Sequence, residues 1–366
     1  AAAKLELGRC RGGVRAFPSG MKLMQTMAGG TVGGAEEFFV RLAVAFQERG
    51  IAQAVAARPN DTRGPRFAEA GINVVELPFG GFFDRRTVPS LAAEIDRFEP
   101  DVVLSWMNRA SDLTGKALRK AKHTPKLIGR QGGYYDLKYY AGCDHLIGNT
   151  PDIVRYLVGE GWPEDCAHYV PNFVSAVPGA PLPRRDLDVP DGAPLMLAAG
   201  RLHRNKAFDV LLTAMQQVDN VYLLLAGDGD DAKALEGQAR KLGIADRLRF
   251  LGWRTDIPNL MATVDMLVCP SRIEPLGNVV IEAWAQNLPV VAAASEGPGW
   301  LIEDGVDGLL APVDDANLLG EAIARLATDS QLPPRLVAAG RRRFEAEFTE
   351  DAVVAKFLVL FDKVLG

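Results

Sequence analysis

Residues 195–206 read Leu195-Met196-Leu197-Ala198-Ala199-Gly200-Arg201-Leu202-His203-Arg204-Asn205-Lys206, and the fold is read outward from this stretch. A short continuous apolar run closed by a glycine predicts a strand buried on both faces, as in a parallel sheet packed between helices. Helical spacing follows the basic turn over Asp209–Gln217. The same alternation continues downstream. Strands are expected at Val221–Ala226, Arg249–Leu251, Met266–Cys269 and Pro289–Ala293, and helices over Lys233–Leu242 and Asn278–Gln286. Strand and helix in strict alternation predict a doubly wound α/β domain.

Upstream the pattern begins at Met21. Lys22–Met27, Ile51–Ala57, Val74–Leu77 and Val102–Ser105 read as strands, and Ala35–Arg49 as a helix. Met21 has the look of a natural start, so residues 1–20 are expected to be leader or added sequence. The Pro/Gly-rich text between 175 and 194 reads as a linker. The expectation is therefore two Rossmann-like domains, 21–174 and 195–348, facing each other across a cleft. A C-terminal helix over 349–366, broken from its predecessor near Thr349, is expected to pack back on the first domain.

Charge narrows the function. Residues 21–172 carry 18 Lys+Arg against 18 Asp+Glu, whereas 173–366 carry 19 against 27. No dominant basic face suits a general nucleic-acid binder. The four cysteines show no zinc-like spacing, and Cys269 lies in an apolar run as a small core residue. No apolar stretch approaches the roughly 18 residues of a membrane span. The expected setting is cytoplasmic.

Two clusters carry chemistry. In Gly200-Arg201-Leu202-His203-Arg204-Asn205-Lys206, Arg201 offers a planar fork and Lys206 a point charge just ahead of a helix, the equipment for clamping a diphosphate. A solvated basic turn is the plain alternative. In Glu274-Pro275-Leu276-Gly277-Asn278-Val279-Val280-Ile281-Glu282, Gly277 and Asn278 stand where a helix should begin, leaving exposed amides for phosphate or sugar oxygens. Glu274 precedes that helix and Glu282 lies about one turn inside it; paired carboxylates can hold vicinal hydroxyls. A third element, Gly29-Gly30-Thr31-Val32-Gly33-Gly34-Ala35-Glu36, permits close backbone approach to a phosphate. Its spacing is not that of a dehydrogenase, and a flexible turn is the alternative.

Arg201 and Lys206, Leu225-Ala226-Gly227-Asp228-Gly229, Phe250-Leu251-Gly252, Pro270-Ser271, the Glu274–Glu282 block and Pro289-Val290-Val291-Ala292 follow one another in an order that resembles retaining glycosyltransferase family 4. Gly33-Gly34-Ala35-Glu36 matches the N-terminal signature of that family, and the resemblance covers nearly the whole chain after Met21. It implies the GT-B architecture and sugar transfer from a UDP-, GDP- or ADP-sugar, with no further cofactor and no metal. It implies that Arg201 and Lys206 bind the diphosphate, that Glu274 contacts the transferred sugar, and that Glu282 contacts the ribose. Amides at Leu276, Gly277 and Asn278 would hold oxygens, Gly200 would open the clamp loop, and Gly33 and Gly34 would approach the phosphates. Trp253 and Arg254 fall where such enzymes hold the base.

The sequence departs from the family in places. Ala207 follows Lys206 where the family has glycine, and a modest effect is expected. The stretch Leu127–Tyr135 lacks the histidine that many relatives place near the reacting sugar, so Arg130 or Gln131 takes that place, with Tyr134 beside them on the acceptor side. Asp228-Gly229-Asp230 spells a DxD, a metal signature of another glycosyltransferase fold, in a turn that the GT-B enzymes use without metal. Aromatic residues at Phe79, Phe82, Phe83, Tyr134, Tyr135, Tyr139 and Tyr140 lie among Arg85, Arg86 and Lys138, suiting either loop packing or a glycan or lipid-linked acceptor with peripheral membrane contact. The acceptor class by family analogy is bacterial lipopolysaccharide or surface polysaccharide. A GT-B nucleotide-sugar epimerase and a non-catalytic nucleotide-sugar binder are the rival readings.

Overall fold

The computed structural model describes residues 20–30, 33–81 and 83–366. The expected leader, apart from Gly20, lies outside the described residues, as do Thr31 and Val32 of the first glycine loop and Phe82.

The chain alternates strand and helix almost throughout. In order it forms β1 (Lys22–Met27), α1 (Gly34–Glu48), β2 (Ala52–Ala57), α2 (Arg63–Glu69), β3 (Val74–Glu76), α3 (Thr87–Phe98), β4 (Val102–Trp106), α4 (Met107–Leu118), β5 (Lys126–Gln131), β6 (His145–Gly148), α5 (Pro151–Gly159) and β7 (Ala167–Tyr169). The second half forms β8 (Leu195–Ala199), α6 (Phe208–Ala214), β9 (Tyr222–Ala226), α7 (Ala232–Lys241), β10 (Leu248–Gly252), α8 (Ile257–Thr263), β11 (Met266–Cys269), α9 (Asn278–Ala285), β12 (Val290–Ala293), α10 (Glu296–Leu301) and β13 (Leu309–Ala311). Three helices follow: α11 (Ala316–Thr328), α12 (Leu332–Glu347) and α13 (Glu350–Leu365). The strands read from apolar runs are all present; β5, β6, β7 and β13 had not been read as strands.

Seven strands form one sheet in the order β3-β2-β1-β4-β5-β6-β7, and six form another in the order β10-β9-β8-β11-β12-β13. The doubly wound α/β expectation holds. In the second sheet the two faces divide the residues of each strand by parity. Met196 and Ala198 of β8 enter one core with Leu211, Leu223, Leu225 and Leu235. Leu195 and Leu197 enter the other with Leu224, Trp284, Phe344 and Phe348. Burial of both parities is why such a strand is apolar throughout rather than alternating.

By contact the chain falls into two compact units. One holds the described residues up to Arg130 with Asp136–Leu146 and Val354–Gly366; the other holds Gln131–Tyr135 and Ile147–Val353. These limits differ from 21–174 and 195–348, because packing rather than composition draws them. The stretch at 175–194 is packed chain. Val174, Leu187 and Val189 are buried in the second unit's core. The amides of Gly179, Ala180 and Leu182 donate to Gln286 Oε1, Asn259 Oδ1 and Thr263 Oγ1 at 3.0, 2.9 and 2.8 Å. A Cβ on Gly179 would lie 1.9 Å from the carbonyl oxygen of Pro258, so only glycine fits this approach. Gly179 serves close packing, whereas Pro178, Pro181, Pro183, Pro190 and Gly192 are exposed.

The helical break at Thr349 is a capped one: its Oγ1 accepts the Ala352 amide at 3.2 Å. Within the first unit, Phe357 and Phe361 of α13 meet Phe46 of α1 with ring centroids 5.9 and 6.0 Å apart.

Candidate active site

In the six-stranded sheet the strand order reverses between β8 and β11, which are hydrogen-bonded neighbours although far apart in sequence. Loops leaving such a pair at their carboxyl ends splay apart and form a crevice. The loop after β8 carries Arg201 and Lys206; the loop after β11 carries Glu274.

The first loop is shaped by glycines. Gly200 has φ 153° and Gly227 φ 148°, and a Cβ on Gly227 would sit 1.8 Å from the Gly200 carbonyl oxygen. Leu202 N donates to Asp228 O at 2.9 Å and Asp231 N returns to Leu202 O at 3.1 Å. The Asp228-Gly229-Asp230 turn is thus the seat of the clamp loop. Asp228 Oδ1 accepts the neighbouring Gly229 amide at 2.7 Å. Buried Leu202 anchors the loop while Arg201 stays exposed. After a short 3-10 turn at Arg204–Lys206, Ala207 adopts φ 52° and ψ 35°. A left-handed alanine costs about 1–2 kcal/mol, which accounts for the glycine that the family has there.

Lys206 Nζ donates to Glu274 Oε2, joining the two loops. Burial opposes the charge of Lys206, yet the adjacent Glu274 carboxylate more than offsets it and holds the ammonium above its ordinary value; nearby Arg201 pulls the other way. With a raised pKa, any stability from this charge is complete at neutral pH and is lost only as pH rises past about 10.4. The Glu274 backbone is fixed as well: Gly297 N of α10 donates to Glu274 O at 2.7 Å. Leu276 is buried, and Gly277, at φ 85°, caps the start of α9. Asn278 Oδ1 accepts Asn172 Nδ2 at 3.2 Å, and Glu282 lies half-buried one turn into the helix. Trp253 is 67% exposed. Arg254 forks onto Asp256 at 2.8 and 2.7 Å, a bond that holds the guanidinium above and the carboxyl below their usual values.

The first unit's candidates fall differently. Beside Gly33 the space is filled by Glu36: its Oε1 accepts the Gly30 amide at 2.8 Å, and its Oε2 lies 2.3 Å from where a Gly33 Cβ would be. The Glu36 carboxylate thus takes the Gly30 amide of this loop. Arg130 is 3% exposed, with its guanidinium 4.7, 5.2 and 5.6 Å from the rings of Phe38, Trp106 and Phe357. Burial pulls it down to about 9, and the aromatic faces compensate part of that loss. Arg130 therefore serves the core of its unit.

Gln131 is 0% exposed, and neither polar atom of its amide has a hydrogen-bond partner among the described residues. A buried amide left without any partner costs about 1–3 kcal/mol. Tyr134 donates its hydroxyl to Asp152 Oδ2; burial and that bond raise the phenol. The aspartate, held low by the same bond, also accepts Arg155 Nη2 at 2.6 Å.

Arg272 and Asp209, which sequence reasoning missed, lie beside this loop: Arg272 Nη1 and Nη2 fork onto Asp209 at 2.9 and 2.7 Å. Their separation of 63 residues left no local signal. The adjacency of Arg272 to Pro270-Ser271 and Glu274 was the one clue.

Comparison with solved structures supports the same architecture. HepE of Anabaena, solved in complex with UDP, superposes with a TM-score of 0.83 at 22% identity, over 94% of this chain and 100% of that one. The two doubly wound sheets are those of the GT-B class. The sequence families agree: residues 32–176 match Glycosyltransferase Family 4, and 182–343 match Glycosyl transferases group 1. The lipopolysaccharide core biosynthesis glycosyltransferase LpsE of Rhizobium meliloti (strain 1021) is 36% identical over 90% of this chain and 96% of its own length. LpsD of the same organism is 36% identical over 91% and 96%. The chain belongs to glycosyltransferase family 4 and is a glycosyltransferase. No described helix is long and apolar enough to cross a membrane.

Proposed function

We propose that this enzyme is a retaining glycosyltransferase that takes a hexosyl or related group from a UDP-, GDP- or ADP-sugar. The acceptor is a glycan or glycolipid of lipopolysaccharide or surface polysaccharide, the class named for LpsE and LpsD. The observation that carries the reading is the contact of Lys206 with Glu274 across 68 residues, with Arg201 exposed beside it.

In this reading Arg201 and Lys206 bind the diphosphate, and Glu274 holds sugar hydroxyls while orienting Lys206. Glu282 receives the ribose, the α9 amides near Leu276, Gly277 and Asn278 receive oxygens, and Trp253 and Arg254 flank the base. As the bond from the anomeric carbon to the β-phosphate oxygen breaks, charge grows on the leaving diphosphate. Cations already in place there lower the transition state more than the ground state. The acceptor oxygen bonds to the same face, and its proton passes to the departing phosphate oxygen, so configuration is retained without a protein nucleophile. No metal or other cofactor takes part in this scheme.

Gln131, with its unpartnered amide, stands at the acceptor side in place of the family histidine, with Tyr134 nearby in sequence. Phe83, 90% exposed and followed by Arg85 and Arg86, suits peripheral contact with the cytoplasmic membrane face. The test is calorimetric titration with UDP, GDP and ADP. One nucleotide should bind selectively and Lys206→Ala should weaken it; binding of none would remove this reading.

A further inference from the structure

We propose that Arg272 is a positioning residue for the diphosphate clamp, fixing the turn that carries Lys206 without meeting the donor itself. The proposal rests on the donor reading of the Arg201–Lys206 loop. Arg272 lies on the loop after β11, and it holds the neighbouring loop by backbone and side chain together. Its own amide and that of Ile273 donate to the carbonyl of Asn205 at 2.8 and 3.2 Å. Nη1 donates to the carbonyl of Arg204 at 2.8 Å. The two carbonyls so held are those of the residues just before Lys206.

The guanidinium is then locked from outside. Nη1 and Nη2 fork onto the two oxygens of Asp209 at 2.9 and 2.7 Å, and Nε donates to Asp314 Oδ1. Asp209 sits in the first turn of α6, immediately beyond the clamp. Asp314 reaches in from the loop after β13 with φ 63°, a left-handed conformation that aspartate tolerates better than most residues. Four of the five guanidinium N–H groups are thereby engaged, leaving little with which to bind a ligand.

Two further facts separate positioning from bulk stability. Asp209 and Asp314 are 47% and 53% exposed, and ion pairs of that kind contribute little to folding. The turn also lacks packing behind it: a cavity of about 520 Å³ lined by His203, Arg204, Asp209, Arg272 and Asp314 opens there. Buried Leu202 and Ala207 anchor the two ends of the turn, and on the open side between them the hydrogen bonds of Arg272 hold it. A displacement of the turn would move Lys206 and leave the distant base contacts untouched.

The experiment first titrates the full-length protein with UDP, GDP and ADP, then compares the diphosphate that binds with its monophosphate. Arg272→Ala should weaken the diphosphate about tenfold and the monophosphate less than about twofold. Added to Lys206→Ala, it should cost less than about a further twofold, because both changes act through one group. Arg272→Lys, which keeps the charge but loses the fork, should weaken the diphosphate about threefold. Equal weakening of diphosphate and monophosphate would overturn the proposal, and so would a full tenfold effect on top of Lys206→Ala. If Arg272→Ala does not fold, the double change Asp209→Asn with Asp314→Asn replaces it, and should again weaken the diphosphate alone. Unaltered binding in that double variant would count against the proposal as well. Wild-type protein that binds none of the three diphosphates would remove the donor reading and this role with it. Wild-type binding with Arg272→Ala unaltered would remove this role alone.

Discussion

The loop after β1 and the loop after β8 hold the same place in their sheets, yet they are finished with opposite charge. Each leaves a strand paired on both sides and leads toward a helix. After β1 the glycines close on Glu36, whose carboxylate takes the Gly30 amide at 2.8 Å, while Arg63 Nη1 donates to Gly30 O at 3.1 Å. After β8, Gly200 lies against the Lys206 side chain and its carbonyl is closely approached by Gly227 of the loop after β9, and the β8 loop presents exposed Arg201 and the Glu274-bound Lys206. A glycine loop at the end of a parallel strand thus offers a place for an anion, and the nearest side chains decide whether that place is already filled. On this comparison the second loop, not the first, is the one that leaves its cations in reach of an added anion, as the proposed diphosphate site requires.

The largest expected effect tests the cationic loop. Lys206→Ala should lower turnover at least about a hundredfold, a barrier change of roughly 2.7–4 kcal/mol, followed as release of nucleoside diphosphate under saturating donor. Near-normal turnover would take Lys206 out of the clamp.

Gly227→Ala comes next. It brings a Cβ to 1.8 Å from the Gly200 carbonyl at a φ that only glycine adopts readily, and should destabilise the fold by about 3 kcal/mol in denaturant titration. A loss under 1 kcal/mol would show that the seat of the clamp loop yields easily.

In the other loop, Glu36→Ala strips the partner from the Gly30 amide and the counter-charge from 5%-exposed Arg63, at a cost of about 2 kcal/mol. Chemical denaturation measures this, and a neutral result would mean that water satisfies the loop as well as the carboxylate does.

Gly33→Ala should be the mildest, about 1 kcal/mol by the same measurement, because its Cβ meets only the flexible end of Glu36 and its φ of 175° suits any residue. A cost matching that of Gly227→Ala would erase the contrast between the two loops.

Much of this was legible in the chain. The continuous apolar runs at 102–104, 195–199 and 266–269 carried the parallel-sheet reading, because burial on both faces favours apolar residues at both parities. The strands at Lys126–Gln131, His145–Gly148, Ala167–Tyr169 and Leu309–Ala311, each with no more than three apolar residues in a row, were missed. Proline and glycine at 175–194 suggested a tether, whereas Gly179 proves to be a close packing contact. The difference lies in what the glycine touches, which is a property of another segment.

The sequence by itself determined the α/β class, the family and the cations Arg201 and Lys206, since these are written in local runs and ordered motifs. Only the tertiary structure decided which cations face the site. It brought Lys206 to Glu274 because β8 and β11 are sheet neighbours, and it set Arg272 over the clamp turn by way of Asp209 and Asp314. It also placed Arg130 among Phe38, Trp106 and Phe357, while the amide of Gln131, one residue on, has no hydrogen-bond partner among the described residues. Neighbouring residues on a strand point to opposite faces, and what each face meets is set by other segments, here from α1, β4 and α13.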